Sequence, residues 1–161
     1  MDTDVEVFKS FDELLEKKCI FGFESGNYIA TSFMAAEPHH LVFKNFLKKY
    51  EDVFFINKDG SLNTITNVKI LTDLLQCQGL KLNNEYQILS NDIIIYPNEF
   101  FSPYDYRIYK YFITENSYCV HHFFVSWISK RNKIKILIKK SVIKIIGEKK
   151  YLKIMRCKNG K

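Results

Sequence analysis

An α/β fold is predicted for this 161-residue sequence by three observations. Short runs rich in β-branched and aromatic residues alternate with segments of helical spacing, and no internal repeat recurs. The length suits one domain that can bury a core. A composition 47% hydrophobic and 16% aromatic, with only six Gly and three Pro, excludes a disordered or low-complexity chain.

The sequence opens Met1-Asp2-Thr3-Asp4, and Val5 and Val7 then read as a short strand. Ser10 and Glu13 have the spacing of a capping box, which predicts a short helix over FDELLEKK. The run CIFGFE reads as a buried strand ending at Glu24. NYIATSFMAAEP reads as a second strand or a strand-to-helix entry, closed by Pro38. Leu41, Val42, Phe46 and Leu47 follow at helical spacing with lysines between them. Asp59-Gly60 marks a turn. Thr66 then caps a helix whose stripe is Val68, Leu71, Leu74 and Leu75, and Gly79 ends it. EYQIL and DIIIYP read as strands, an aromatic loop follows, and SYCVHHFFVSW reads as a last strand leading into a loop.

Charge divides the chain. From Lys130 onward there are thirteen Lys/Arg and one acid, Glu148, so the tail carries about +12 while residues 1–129 carry −6. This separates an acidic body, 1–129, from a basic tail, 130–161. Nucleic acid is not an expected partner, because the bases are not spread over the body. Ile134, Leu137, Ile138, Val142, Ile145 and Ile146 fall on one helical face of the tail, with lysines opposite. KIKILIK would serve equally as an alternating strand. As a helix the tail either lies on an anionic membrane surface or packs its apolar face on the body. No run approaches the roughly 18 apolar residues of a membrane span, and no apolar leader segment follows Met1. The expected location is therefore cytoplasmic, or peripheral at the inner face of the membrane where 130–161 lies on lipid rather than on the body. The four cysteines form no CxxC pair, which suits reduced, buried thiols better than a zinc site.

Two groups of residues could carry chemistry. In a strand, Asp2 and Asp4 project to one side about 7 Å apart between Cα atoms. Two such carboxylates can share a hard divalent cation with a diphosphate, although acids near a terminus are more often simply solvated. His121-His122 stand shortly before Ser126-Trp127. Adjacent strand residues face opposite ways, so at most one of the histidines enters a shared site. Imidazole suits Mn²⁺ when carboxylates complete the shell, and Ser and Trp can donate to phosphate oxygens. The plainer alternative is a core histidine packed for burial.

Glu24 ends a strand, where functional residues of open α/β sheets gather. Thr66-Asn67 at a helix N-terminus can orient a hydroxyl, though capping alone accounts for them. His39-His40 read as capping or surface residues. The sequence has no glycine-rich phosphate loop, no GxSxG and no HExxH, which removes nucleotide-hydrolase, serine-hydrolase and zinc-protease readings.

Taken in series these motifs resemble the bacterial branch of glycosyltransferase family 32, the sugar-binding proteins with a DXD motif found in capsule and lipopolysaccharide gene clusters. The resemblance is carried by Met1-Asp2-Thr3-Asp4-Val5-Glu6, by Gly22-Phe23-Glu24, by IATSFMAAEPHHLVFKNFLKKY and by the helix from Thr66 to Gln76. It continues through DIIIYP to Glu115-Asn116-Ser117-Tyr118 and His121 to Trp127, and covers residues 1–129 in order.

The resemblance implies the C-terminal portion of a GT-A type fold. It also implies metal-dependent transfer of a sugar from a nucleotide-sugar to a glycan or lipid-linked acceptor, with retention, in surface polysaccharide synthesis. Asp4 would then bind the metal, Mn²⁺ ahead of Mg²⁺, and Asp2 would touch the donor and the metal's water. His122 would be the third ligand, ahead of His121, while Ser126 and Trp127 would hold the diphosphate. Glu24, Thr66 and Asn67 remain as contacts to sugar or acceptor, and no catalytic nucleophile can be picked. Two departures stand out. Val125 replaces the family glycine before Ser-Trp, and the family's N-terminal nucleotide-binding half is absent. The chain is accordingly expected to be truncated, with its activity in isolation left open. The alternative is a non-catalytic membrane-surface or protein-interaction module acting through the basic tail.

Overall fold

The computed structural model describes residues 1–25, 28–51, 53–123 and 130–159. It is a mixed α/β structure whose main sheet has five strands. The strand β2 (Cys19–Glu24) is buried along its whole length and forms the spine of that sheet. On one edge it pairs antiparallel with β3 (Tyr28–Ile29) through Phe23 and Glu24, and with β4 (Ala35–Ala36) through Cys19 and Ile20. On the other edge it pairs parallel with β6 (Ile93–Tyr96), and β5 (Gln87–Ile88) closes the sheet antiparallel to β6. A strand paired on both edges and covered on both faces has no solvent side, so CIFGFE shows no polar alternation.

One face of the sheet is covered by α1 (Leu41–Lys48) and α2 (Asn67–Gln76), which pack Val42, Leu71, Leu74 and Leu75 against Phe21, Phe23, Ile93 and Ile95. The other face carries the aromatic cluster of Phe33, Phe101 and Tyr118 beside Leu14, Ile20 and Cys119. Phe33 and Phe101 stack with ring centroids 4.1 Å apart. The short helix α3 (Asn98–Phe101) brings Phe101 directly over Gly22. There an added Cβ would lie 2.7 Å from the Phe101 ring, so only glycine fits.

Two small sheets complete the body. One pairs β1 (Val5–Val7) antiparallel with β9 (Cys119–His121), and the other is the hairpin of β7 (Tyr104–Asp105) and β8 (Lys110–Tyr111).

The Thr66 cap, the Gly79 helix stop and the Asp59-Gly60 turn are present as predicted. Thr66 Oγ1 accepts from the Lys69 N–H at 3.3 Å, and Gly79 follows α2 at φ +97°. His40 caps α1 by accepting the Val42 N–H on Nδ1, while its Nε2 lies 2.9 Å from the Asn91 carbonyl oxygen. Gly60 sits at φ +81° in the turn the sequence marks. Within α1, Val42 is buried, whereas Leu41 and Leu47 are exposed.

The helix expected over FDELLEKK is instead a single 3₁₀ turn, Asp12–Leu14. The capping box does not form, because Ser10 Oγ accepts from the Asp12 N–H and the Glu13 carboxylate accepts from the Tyr118 hydroxyl at 2.9 Å. A tertiary hydrogen bond has outcompeted a local one.

The tail is helical rather than extended, as α4 (Lys130–Ile146) and α5 (Glu148–Asn159) joined at Gly147 with φ +83°. It meets the β7–β8 hairpin. Ile143 is buried, Lys139 Nζ lies 4.9 Å from the centre of the Tyr109 ring, and Lys110 pairs with Glu148 at 3.0 Å.

Candidate metal centre

The pairing of β1 with β9 builds the site. Val5 stands opposite His121 and Val7 opposite Cys119, and the His122 N–H donates to the Asp4 carbonyl at 3.1 Å. Asp2 and Asp4 themselves precede β1. Thr3-Asp4 forms a turn, and the Asp2 N–H is held by the Ser32 carbonyl at 2.9 Å. The two aspartates are therefore not successive same-side residues of a strand, as the sequence suggested. A turn interrupts the alternation, and both carboxylates reach one imidazole.

That imidazole belongs to His121. Its Nε2 lies 3.0 Å from Asp4 Oδ1 and 3.9 Å from Asp2 Oδ2, and one ligand atom from each residue falls within 4.8 Å of the other two. Ligands bound at about 2.1 Å in an octahedron sit roughly 3 Å apart, which the Asp4–His121 pair already matches. Asp2 stands farther out and is half exposed. Two hard carboxylate oxygens and one imidazole nitrogen make a donor set that suits Mn²⁺. The His121 ring packs against Phe123 with centroids 3.9 Å apart and the planes tilted by 34°, where Phe123 takes a φ of +52°. Its Nδ1 is buried and has no hydrogen-bond partner among the described residues.

His122, the ligand expected from the resemblance, is placed elsewhere. Strand alternation turns it to the opposite face, where Nε2 lies 3.0 Å from Glu6 Oε2 and Nδ1 lies 2.9 Å from the Tyr111 hydroxyl. A carboxylate only accepts, so Nε2–H donates to Glu6, and in the neutral ring Nδ1 accepts from the Tyr111 hydroxyl. Both ring nitrogens are thus engaged away from Asp2 and Asp4. Strand alternation allows one histidine in the site and the resemblance picks His122, whereas the register of β9 against β1 brings His121 to Asp2 and Asp4 instead.

The pair Asp2 and His121 stands on the wall of a cleft of about 620 Å³. Glu24, Thr66 and Asn67, the three residues singled out as sugar or acceptor contacts, line the same cleft. Tyr28, Ser32, Lys69 and Tyr106 join them, and of these Tyr106 carries no signal in the sequence that sets it apart from its aromatic neighbours. Glu24 is buried at the end of β2, and burial pushes its carboxyl up to about 7. The Tyr106 hydroxyl is raised first by burial and then by the charge of Glu24. Ser32 Oγ is buried without a hydrogen-bond partner among the described residues. Thr72 braces the rim, since its Oγ1 accepts from the Ile29 N–H at 3.0 Å and donates to the Val68 carbonyl at 2.7 Å. His39 and His40 lie apart from this cleft, His40 serving as the cap of α1. Ser126 and Trp127 lie outside the described residues.

No family model, no curated protein and no solved structure matches the chain.

Proposed function

We propose that this chain carries the metal-binding and sugar-binding part of a glycosyltransferase of the GT-A type. It would act on a nucleotide-sugar donor and a glycan or lipid-linked acceptor, with retention at the anomeric carbon, in surface polysaccharide synthesis. The observation that carries this reading is the meeting of Asp2, Asp4 and His121, two of which, Asp2 and His121, line a cleft that also holds Glu24, Thr66 and Asn67. Carboxylates and imidazole hold a divalent ion, and the hydroxyl and amide groups beside them suit a sugar.

In this reading Asp4 and His121 would hold Mn²⁺, with Asp2 beside them, and the ion would supply positive charge against the leaving diphosphate. Phe123 packs against the His121 ring and helps to hold it in place. Glu24, half protonated near neutrality, can donate or accept a hydrogen bond at a sugar hydroxyl as required. Thr66 and Asn67 position that hydroxyl from the N-terminus of α2.

Titration calorimetry with Mn²⁺ and a panel of nucleoside diphosphate sugars tests the reading. Binding of one such sugar is expected only with Mn²⁺ present, and it should vanish in Asp4→Ala and His121→Ala. Metal-independent binding, or binding unchanged in both variants, would sink the proposal.

A further inference from the structure

The helix α4 has two apolar stripes, and the structure uses only one of them. Ile143 is buried against the body, and Ile136 and Ile146 flank it, half covered, on the same inward side. The outward side carries Ile134, Leu137, Ile138, Val142 and Ile145, the stripe that dominates the sequence pattern. These residues are exposed, four of them by 57%, 63%, 59% and 82% for Ile134, Leu137, Ile138 and Ile145. A helix that had simply docked its better apolar face on the body would show the reverse.

Cations border this outward ridge. Lys135 stands on one flank, and Lys140 and Lys144 stand on the other, all exposed. At the joint with α5, Lys144, Lys149 and Lys150 line a groove with Tyr109 and Ile146. The acid of this region, Glu148, is already paired with Lys110. An apolar ridge between lysines matches an anionic lipid surface, where acyl chains lie beneath a layer of phosphates. No helix among the described residues is long and apolar enough to cross a membrane, so the fit is to a surface rather than a span.

We propose that α4 lies in the headgroup–acyl boundary of an anionic bilayer, with Ile134, Leu137, Ile138, Val142 and Ile145 inserted and Lys135 and Lys144, on the two flanks of the ridge, on the phosphates. This does not rest on the transferase reading. The lysines of the ridge supply attraction at a distance, and the isoleucines supply the contact that salt does not screen. Long lysine stems let their ammonium groups rise to the phosphates while the ridge sinks below them.

Flotation of the full chain with vesicles tests the proposal. Phosphatidylcholine vesicles containing phosphatidylglycerol should bind the chain at least about tenfold more tightly than phosphatidylcholine alone. The double variant Ile138→Ser/Ile145→Ser should lose about tenfold in affinity for the anionic vesicles, with its circular dichroism unchanged. Ile145→Lys, at the most exposed position of the ridge, gives a second variant that cannot disturb the core. Equal binding by all three proteins, or none by any, overturns the proposal. So does a lipid-free dimer in the ultracentrifuge that Ile145→Lys dissociates, because the ridge would then be covered by a second copy of the chain.

Discussion

His121 Nε2 lies 3.0 Å from Asp4 Oδ1, while the neighbouring His122 is turned to Glu6 at the same distance. Two adjacent histidines thus serve two carboxylates on opposite faces of one strand. The consequence is a separation that mutagenesis can read. Asp4→Asn and His121→Ala should each weaken Mn²⁺ binding at least about a hundredfold, since losing a ligand costs more than losing an outer partner. His122→Ala should leave binding near its starting value. Electron paramagnetic resonance of free Mn²⁺ measures all three, and a stronger loss in His122→Ala than in His121→Ala would reverse the assignment.

Glu24 predicts a pH dependence of stability. Its carboxyl is raised from 4.5 to about 7 by burial, so the folded state holds a proton that the unfolded chain releases. The stabilisation is full below pH 4.5 and fades as pH rises through 7. Between pH 5 and 8 the wild type should lose about 2 to 3 kcal/mol more than Glu24→Gln. Urea unfolding of both proteins in chelator checks the difference, and parallel curves would mean that Glu24 is not buried as described.

Gly22 predicts an overpacking cost. The ring of Phe101, which its added Cβ would strike, is fully buried and stacked on Phe33, so it cannot swing aside. Gly22→Ala should destabilise by about 1 to 3 kcal/mol, read as a lower denaturation midpoint. Gly60→Ala meets no neighbour within 4 Å and should cost only the strain of its positive φ.

Thr72 links the second helix to the cleft rim. Thr72→Val keeps the shape but leaves the Ile29 N–H without its acceptor, at a cost of about 1 to 3 kcal/mol. Amide exchange at Ile29 should quicken, whereas Thr72→Ser should retain protection.

The parts of this fold legible in the sequence are those decided locally. The Thr66 cap, the stripe of α2, the Asp59-Gly60 turn and the buried run of β2 each depend on a few neighbouring residues. The helix predicted after Ser10 does not form because Tyr118, distant in sequence, takes Glu13. The same limit hid the choice between His121 and His122, which a strand register fixes and no local pattern records. In the tail, helical spacing was visible, but which of two apolar stripes faces inward depends on the β7–β8 hairpin. Glu24, Thr66 and Asn67 were each weak candidates alone, and only the folded sheet puts them on one cleft with Asp2 and His121.

The pairing of β1 with β9 has a temporal side. Asp4 is synthesised long before His121, and the two meet only when the whole stretch of chain between them is closed into a loop. An ion held there would act as a clasp across the longest loop of the body, and closing so long a loop is slow and entropically costly. Metal affinity would accordingly appear last in refolding, after the aromatic core has formed, and a nascent chain stopped short of β9 could hold none.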